Sequence, residues 1–307
     1  MKHLVIVNPI SGRGFAGKCI PEIKERLHEL GVDFDLVETT GPWHAAELAE
    51  QACKDNYDVV ATASGDGTAN EALNGLMRAR EKGFNHTAMS ILPVGTGNDL
   101  AYGMGIRGNL EESCQLLAKG QRRRVDIGLV KGGDYPEGRY FGNGVGIGFD
   151  AAVGFEAVKI RWTRGTLAYL IAALRTVFLY YKAPTVEIVA DGQTSQHTPL
   201  MVSIMNGQRM GGGFYMAPNG DPGDGTFNLI IAASASKARI FGLIPHFMNG
   251  TQEGQPEISI SMAQNLTVTA MKGTMPAHCD GETLCYAGQK LSIEIIPQAI
   301  DFITILE

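Results

Sequence analysis

The segment DVVATASGDGTANEALNGLMRA, residues 58–79, contains a β-branched run, a glycine-rich turn and a helical pattern in direct succession. DVVATA predicts a strand because β-branched residues favour the extended chain, and TANEALNGLMRA predicts a helix. Gly65 and Gly67 flank Asp66 in the turn, and we expect Thr68 to cap the helix that follows. A strand that leads through a short turn into a helix is the unit from which parallel sheets are built.

The first 120 residues repeat this alternation of strand and helix. Further strands are predicted at HLVIVN, FDLVET and AMSILP, and further helices at residues 18–30, HAAELAEQACKD and DLAYGMG. Strands that alternate with helices form parallel βαβ units with right-handed crossovers. We therefore predict an α/β domain with a parallel, Rossmann-like sheet over residues 1–122.

The pattern changes at KGQRRRVDIG. Beyond it, short apolar runs separated by Gly, Asp and Pro predict a β-rich domain over residues 123–299, with one or two helices near 150–181. Whether the final residues, 300–307, return to the first domain is left open. The strands of the second domain are predicted at 138–148, 184–190, 199–205, 226–233, 257–261, 265–271 and 291–296.

Three arginines stand at this boundary and have two interpretations. Arg122, Arg123 and Arg124 could form a solvated linker, or they could contact a phosphate or a lipid headgroup.

Three glycine-rich turns follow predicted strands of the first domain. They are NPISGRG (8–14), SGDGT (64–68) and PVGTGND (93–99). In a parallel sheet such turns lie at the same carboxyl edge, where ligands collect, and the helices that follow favour anions at their N-termini. The three turns together predict one phosphate-binding site. Asp66 would lie beside that site only with a cation, for which Mg²⁺ is the usual choice.

The third turn repeats this pattern. Thr96 is a candidate phosphate contact, and Asn98 and Asp99 are candidates for polar contacts or domain positioning, with a helix N-cap as the alternative for Asp99.

Two other nucleotide-binding motifs are incomplete in this sequence, one in its residue types and the other in its spacing. Gly12, Gly17 and Lys18 match a P-loop, but Cys19 stands where Ser or Thr must bind Mg²⁺, and a thiol is not a hard oxygen ligand. The dinucleotide fingerprint also lacks its glycine spacing. GNGVGIG (142–148) has glycine at every second position, which predicts a strand with one bare face against a helix or a ligand.

Composition narrows the class of protein. The 307 residues suggest about two domains, and a net charge of -6 argues against nucleic acid as a main partner. The cysteines form no CxxC pair and the histidines no i,i+4 pair, so we expect neither zinc nor disulfides, and a cytoplasmic location.

One apolar stretch, residues 166–181, is interrupted by Arg175 and is shorter than the roughly 20 residues that a transmembrane helix needs. With Arg161 and Arg164 before it, this segment is interpreted either as a helix on anionic lipid or an acyl-chain groove, or as a core helix.

Taken together, these motifs resemble the diacylglycerol kinase catalytic domain family. That family includes bacterial lipid kinases and the sphingosine and ceramide kinases, and it is distantly related to NAD kinases and 6-phosphofructokinases. Ser64 is one departure, because the family usually has glycine there. The matching pieces extend over essentially the whole chain: NPISGRG, SGDGTANEALNGL, LPVGTGNDLA, VDIG, FGNGVGIGFDA, MNGQRMGGGFYMAPNGDPGDGTFNL and HCDGETL.

The resemblance implies an N-terminal α/β nucleotide-binding domain of the NAD kinase and diacylglycerol kinase type, a C-terminal β-sandwich, and an active site in the cleft between them. It implies that SGDGT is the main ATP-binding turn. The implied ATP contacts are Asn8, Thr40, Gly65, Asp66, Gly67, Thr68, Ala69, Asn70, Glu71, Gly95 and Thr96.

The resemblance also implies that Asp280-Gly281-Glu282 is the catalytic acidic motif. The chemistry agrees, because a hydroxyl that attacks the γ-phosphate must lose a proton and a carboxylate can accept it. We favour Glu282 as the proton acceptor, with Asp280 as the alternative.

A second acidic turn lies in NGDPGDGTFNL (219–229). Here the resemblance implies a mainly structural Mg²⁺ site formed by Asp221, Asp224 and the backbone carbonyl of Thr226, and the alternative is a hairpin turn without metal.

We therefore expect an ATP- and Mg²⁺-dependent lipid kinase that transfers the γ-phosphoryl group to a lipid hydroxyl, converting diacylglycerol to phosphatidic acid. We expect a cytoplasmic protein with transient peripheral membrane contact, and a homodimer is left open. The alternatives are a kinase for another lipid or a soluble alcohol, and a non-catalytic nucleotide sensor. An apolar groove in the second domain would favour the lipid, and a polar, closed pocket the soluble alcohol.

Overall fold

The computed structural model describes residues 1–160, 162–163, 165–179 and 183–305. The chain divides into two compact units, Met1–Ile127 with Gln298–Glu307, and Gly128–Pro297. Arg161 and Arg164, which precede the apolar stretch at 166–181, lie outside the described residues.

The first unit is an α/β structure with a parallel sheet. Its strands are β1 (Lys2–Val7), β2 (Asp33–Glu38), β3 (Val59–Ser64) and β4 (Ala88–Pro93). Its helices are α1 (Ser11–Glu29), α2 (His44–Lys54), α3 (Asp66–Glu81), α4 (Asp99–Gly103) and α5 (Leu110–Lys119). The four strands pair in parallel in the order β2-β1-β3-β4. The predicted parallel sheet is therefore confirmed.

The second unit is built mainly of antiparallel strands. Its elements begin with β5 (Arg122–Gly132), β6 (Tyr135–Phe141), β7 (Gly144–Gly148), α6 (Phe149–Lys159), α7 (Gly165–Leu179), β8 (Thr185–Ala190), β9 (Gln193–His197) and β10 (Pro199–Met205). They continue with β11 (Arg209–Met210), β12 (Phe214–Tyr215), β13 (Phe227–Ala233), α8 (Lys237–Asn249), β14 (Ile258–Ala263), β15 (Asn265–Lys272), β16 (Met275–Cys279), β17 (Glu282–Gly288) and β18 (Lys290–Ile303). Strands β5 and β18 cross the divisions at 127 and 297.

Two sheets form the sandwich of the second unit. One has the antiparallel order β14-β13-β10-β7-β16-β17, and the other contains β9-β8-β15-β18 with β5 and β6. Successive side chains of a strand point to opposite faces. Val202 and Ile204 of β10 thus lie in the core between the sheets, whereas Met201 and Met205 pack with the apolar side chains of α6, α7 and α8. The predicted β-sandwich is confirmed, and helices cover its outer face.

Some elements differ from the prediction. Helix α1 begins at Ser11 rather than at 18, through a kink at Gly12–Gly14 where φ is positive. The segment 138–148 holds two strands, β6 and β7, rather than one. Helices α5 and α8 were not predicted, and α8 contains Pro245, which the sequence pattern suggests as a helix breaker.

The linker interpretation of the boundary arginines is wrong. Arg122–Gly132 is a strand, and ion pairs hold the guanidinium groups of Arg122 and Arg124 at 3.5 and 3.1 Å from Asp301. Arg124 also donates to the backbone carbonyl of Gln298 at 3.0 Å. These arginines fix the returning C-terminal segment within the first unit.

No helix in the described part of the chain is both long and apolar enough to cross a bilayer.

The contact between α2 and α3 gives a test of the first unit. A Cβ atom at Gly75 would lie 2.1 Å from the backbone oxygen of Ala46. We expect Gly75→Ala to lower the free energy of unfolding by about 1–3 kcal/mol, because the helices must separate. Urea denaturation measures the free energy of unfolding.

Gly242→Ala is the matched control, because its Cβ meets only an arginine side-chain atom at 3.9 Å inside α8. There alanine should stabilise by about 0.5–1 kcal/mol through its helix propensity. Equal midpoints for the two variants would contradict the close α2–α3 crossing.

Candidate active site

The turns that were predicted to bind phosphate lie at one edge of the parallel sheet. Asn8 follows β1, Gly65 follows β3, and Val94–Gly95 follows β4, and these three strands run in the same direction. Thr40 lies just beyond the carboxyl end of β2, the neighbour of β1. The sheet therefore brings all four segments to its carboxyl edge, where α/β proteins bind ligands.

Two of these turns touch through their backbones. A Cβ atom at Gly95 would lie 2.2 Å from the Cα of Gly65, a distance that no side chain can occupy. Asn98 closes the third turn, because its side-chain oxygen accepts from the Gly95 N–H at 3.1 Å and its side-chain nitrogen donates to the Gly95 carbonyl at 3.2 Å. The contact between the second and third turns therefore requires glycine at position 95.

Asp66 joins the second turn to the third. Its Oδ1 accepts a hydrogen bond from the backbone N–H of Leu100 at 3.0 Å, and its Oδ2 lies close beneath Gly97. Leu100 belongs to the first turn of α4, whose N–H groups have no partner within the helix. The half-buried carboxylate of Asp66 therefore has a structural contact that the sequence did not indicate.

Thr68 does not cap helix α3, so that prediction is wrong. The helix begins at Asp66 with Gly65 as its N-cap, which places Thr68 within the first turn. Its hydroxyl instead accepts from the side-chain nitrogen of Asn8 at 2.7 Å. This hydrogen bond joins the first turn to the second.

The other residues that were predicted to contact ATP are placed differently. Thr96 and Thr40 are exposed, and the backbone N–H of Thr40 donates to the ring of His44 at 3.0 Å. Ala69 and Asn70 are fully buried in the packed face of α3, whereas Glu71 is half-buried. Gly65–Thr68 and Glu71 therefore stay candidates for direct contact.

The near-match to a P-loop motif at Gly12, Gly17 and Lys18 does not form a P-loop in the structure. Cys19 is buried among the core side chains of the first unit, and burial raises the pKa of its thiol. Lys18 is exposed on the other side of α1. Cys19 is therefore a core residue.

Asp280 and Gly281 form the two-residue turn between β16 and β17. Their φ angles of 46° and 83° are those of a type I′ hairpin, for which Asp-Gly is a preferred pair. Glu282 follows as the first residue of β17 and is half-buried. The catalytic acidic motif of the prediction is thus a tight hairpin.

The carboxylate of Asp280 is buried and accepts three backbone hydrogen bonds. The donors are the N–H groups of Gly142 at 2.8 Å and of Asn143 and Gly144 at 2.9 Å each. Asp280 therefore fixes the connection from β6 to β7. Burial, reinforced by the neighbouring Asp280 carboxylate, raises the pKa of the Cys279 thiol well above its usual value.

The acidic loop at 221–226 is organised by its own backbone. Asp221 accepts from the Gly223 N–H at 3.0 Å, and Asp224 accepts from the N–H and hydroxyl of Thr226 at 2.9 and 3.0 Å. Among the described residues there is no group of three acidic, histidine or cysteine side chains that could hold a metal. Two carboxylates and a carbonyl remain, which are oxygen donors suited to a largely hydrated Mg²⁺.

A polar cluster that the sequence did not reveal lies on β7. A Cβ atom at Gly146 would lie 2.4 Å from both Asp150 Oδ2 and His278 Nε2. Asp150 belongs to α6, so the bare face of GNGVGIG meets a helix at Gly146, whereas a Cβ atom at Gly144 would meet Met205 Sδ at 2.6 Å. The alternating glycines were the only signal in the sequence for this cluster.

An apolar cavity of ≈80 Å³ adjoins Asp150 within the second unit. Phe149 of α6, Tyr169 of α7, Met201 of β10 and Phe247 of α8 contribute to its wall. Asp150 is the one charged residue among the described residues that line it.

The contact of Asp66 with α4 gives a stability test. Asp66→Ala removes the acceptor for the Leu100 N–H and should lower the free energy of unfolding by about 1.5–3 kcal/mol, as for other hydrogen bonds to charged groups. Asp66→Asn keeps an oxygen acceptor and should cost less. Urea denaturation measures both.

Glu25→Ala, which changes an exposed carboxylate of α1, is the control and should have little effect. An Asp66→Ala variant as stable as this control would contradict the structural contact.

Comparison with known proteins covers both units. The family model of the diacylglycerol kinase catalytic domain matches residues 2–130, and that of the YegS C-terminal NAD kinase beta sandwich-like domain matches residues 143–304. A diacylglycerol kinase of Mycobacterium tuberculosis is 28% identical over 303 residues, which are 97% of this chain and 94% of the relative. A diacylglycerol kinase of Bacillus subtilis is 28% identical over 281 residues, which are 91% of this chain and 88% of the relative.

Solved structures share the fold. A diacylglycerol kinase from Bacillus anthracis superimposes with a TM-score of 0.74 at 22% identity, covering 99% of this chain and 97% of its own. Yeast NADH kinase superimposes with a TM-score of 0.52 at 12% identity, covering 100% of this chain and 84% of its own. The sandwich-domain model alone extends over more than half of the sequence, and with the catalytic-domain model it shows that the chain belongs to the diacylglycerol kinase family.

Proposed function

We propose that the protein is an ATP- and Mg²⁺-dependent lipid kinase that transfers the γ-phosphoryl group to the hydroxyl of a diacylglycerol, giving phosphatidic acid. Membership of the family supports the reaction class. The observation that carries the choice of a lipid is the apolar cavity of the second unit, since a soluble alcohol would require a polar pocket.

The cavity suits part of an acyl chain. Its wall combines apolar side chains from three helices and from the outer face of the six-stranded sheet, and its volume is ≈80 Å³. Burial of each methylene group contributes about 0.8 kcal/mol, so even a short chain segment gains affinity there.

The nucleotide phosphates would bind at the carboxyl edge of the parallel sheet. Helix α3 has 16 residues, and its first N–H groups at Asp66–Thr68 stand beside the Gly95–Thr96 turn. The positive end of a helix dipole and its N–H groups favour a phosphate. Asn8 and Thr40 would complete this site from the neighbouring turns.

Glu282 is the better candidate for proton acceptor. The carboxylate oxygens of Asp280 already accept hydrogen bonds from three backbone N–H groups, so this residue supports the connection from β6 to β7. Glu282 would accept the hydroxyl proton while the hydroxyl oxygen attacks the γ-phosphorus, without a covalent enzyme intermediate.

Mg²⁺ would neutralise charge on the triphosphate as MgATP. A second, structural ion would be held by Asp221, Asp224 and the carbonyl of Thr226, whose oxygen donors suit a hard cation.

The proposed activity has a direct test. The protein should transfer labelled phosphate from ATP to dioctanoylglycerol in mixed micelles, and not to glycerol. Glu282→Gln should lower kcat by at least about 100-fold, since general acid–base catalysis contributes roughly 10²–10⁴-fold. The KM for ATP should be unchanged.

Glu253→Gln, an exposed change in the same unit, is the matched control and should keep full turnover. Turnover of Glu282→Gln at the control rate would exclude the proposed base. ATP binding by calorimetry without transfer to any lipid tested would favour the nucleotide sensor.

Exposed apolar residues near the cavity helices suggest the membrane-facing surface. Val158 at the end of α6 is 82% exposed, Trp162 is 70% exposed, and Leu167 at the start of α7 is 52% exposed. Helices α6 and α7 also line the cavity. Tryptophan favours the interface between lipid and water, so this surface would place the cavity near the bilayer.

Trp162→Ala should weaken binding to vesicles of phosphatidylglycerol and phosphatidylcholine by about fivefold or more, because loss of a partly inserted ring removes on the order of 1 kcal/mol. Sedimentation with the vesicles measures the bound fraction. Met262→Ala, which changes an exposed apolar residue on β14, is the control. Equal binding by both variants would place membrane contact elsewhere.

A further inference from the structure

The loop between β2 and α2 carries Thr40, one of the proposed nucleotide contacts. The N–H of Thr39 continues the pairing of β2 with β1, because it donates to the Val7 carbonyl at 2.8 Å. Thr40 is the next residue, and it is exposed beyond the carboxyl end of β2. The strand order β2-β1-β3 places the turn that begins at Asn8 between Thr40 and Gly65. Thr40 therefore borders the proposed phosphate site.

The imidazole of His44 folds back onto Thr40. His44 is the first residue of α2, and its Nδ1 accepts a hydrogen bond from the backbone N–H of Thr40 at 3.0 Å. The hydroxyl oxygen of Thr40 lies 3.1 Å from the same ring nitrogen. A ring nitrogen that accepts from an N–H must carry a lone pair, so the ring proton is on Nε2.

Two donors of Thr40 thus face one acceptor. The Nδ1 atom of His44 has a single lone pair, and the backbone N–H of Thr40 satisfies it without the hydroxyl. The hydroxyl can therefore turn its proton toward a phosphate oxygen while the ring nitrogen keeps its partner. Threonine is β-branched and has few χ1 rotamers, so a fixed backbone at residue 40 also restricts the position of the hydroxyl oxygen.

Trp43 gives this loop its return toward Thr40. Its φ of 64° lies in the left-handed region, which a bulky residue rarely adopts, and the N–H of the next residue, His44, donates to the Gly41 carbonyl at 3.3 Å. The guanidinium carbon of Arg78 lies 5.0 Å from the centroid of the Trp43 ring. Strained residues of this kind cluster at ligand-binding segments. Here the strained residue is held by α3, the helix whose first turn is proposed to bind the phosphates.

The hydrogen bond from Thr40 to His44 is more useful for orientation than for folding. Thr40 is exposed, so water could satisfy its N–H in the absence of the imidazole. A hydrogen bond that replaces one to water contributes little net stability. Its larger effect is to keep residue 40 in one conformation before a ligand arrives.

We propose that His44 is a positioning residue that holds Thr40 so that the Thr40 hydroxyl donates to a phosphate oxygen of ATP. The inference rests on the proposed kinase function and adds which residue orders the nucleotide contact that follows β2. Binding then costs less, because the ligand does not have to order this side chain and its loop. The role concerns ATP alone and leaves the acceptor hydroxyl and its proton to Glu282.

Calorimetric titration of the full chain with MgATP, without lipid, tests this role. Thr40→Val removes the hydroxyl and keeps the N–H, and it should weaken ATP binding about tenfold, as for loss of one hydrogen bond to a charged group. His44→Ala leaves the hydroxyl in place but no longer held, and it should weaken binding about fivefold. The double variant should bind no more weakly than Thr40→Val alone, because His44 acts through that hydroxyl.

Two conservative variants separate positioning from a general effect on folding. His44→Asn places an oxygen near the position of Nδ1, and it should restore most of the binding that alanine loses. His44→Gln places its oxygen nearer the position of Nε2, and it should restore little. His86→Ala is the matched control, because His86 is exposed in the same unit at the amino end of β4, and it should bind ATP like the original protein.

Transfer to dioctanoylglycerol gives a second readout. His44→Ala should raise the KM for ATP, leave the KM for dioctanoylglycerol unchanged and keep kcat within about twofold, as for a loss of uniform binding. Equal ATP binding by His44→Ala and the original protein would overturn the inference. Equal binding by the asparagine and glutamine variants, or additive effects of His44→Ala and Thr40→Val, would also overturn it.

The same measurements separate this inference from the proposed function. ATP binding that depends on His44, without transfer to any lipid, would refute the kinase function and support the positioning role. Transfer by the original protein together with unweakened ATP binding by His44→Ala would refute the positioning role alone. Absence of ATP binding by the original protein would refute both.

Discussion

Gly95 approaches Gly65 so closely that a Cβ atom at position 95 would lie 2.2 Å from the Gly65 Cα, and this contact holds the second and third turns of the first unit together. Asp66 strengthens the junction through its hydrogen bond to the Leu100 N–H at the start of α4. Asn8 adds the first turn through the hydroxyl of Thr68. Because the turns hold one another, their N–H groups can keep fixed directions without a ligand. A preorganised set of donors of this kind costs little reorganisation when it binds a charged phosphate.

The two units use an aspartate in the same way. Asp66 and Asp280 both stand beside glycine in a tight turn, and both accept hydrogen bonds from backbone N–H groups of another segment. A catalytic carboxylate and a structural one need the same local sequence, because each requires a small neighbour and a sharp turn. The acidic motifs therefore could not be divided into these roles from the sequence. The hydrogen-bond partners of each carboxylate distinguish the two roles, and these partners lie more than 30 residues away along the chain.

Much of the fold could be predicted because its signals are local. The strand–turn–helix pattern of residues 58–79 indicated β3 and α3, and β10 was predicted at its observed bounds, Pro199–Met205. Elements that depend on distant packing were missed. Helix α8 contains both Gly242 and Pro245, which disfavour a helix, and the burial of Leu243 and Phe247 against the sandwich compensates for them. The strand at Arg122–Gly132 begins with charged residues, and its pattern therefore did not predict a strand start there. The ion-pair partner of Arg122, Asp301, lies near the other end of the chain.

The alternating glycines of GNGVGIG show how far a pattern can lead without coordinates. Their period of two predicted a strand with one bare face and a bulky neighbour packed on that face. It did not predict which residues the neighbour contributes. What fills the space depends on register, and the register brings together Ser203 and His278, which are 75 residues apart in the chain, on either side of Gly146. A helix that starts directly after β7 then adds Asp150 from above. The absence of a side chain at Gly146 thus makes room for the Asp150 carboxylate between two polar neighbours, Ser203 and His278.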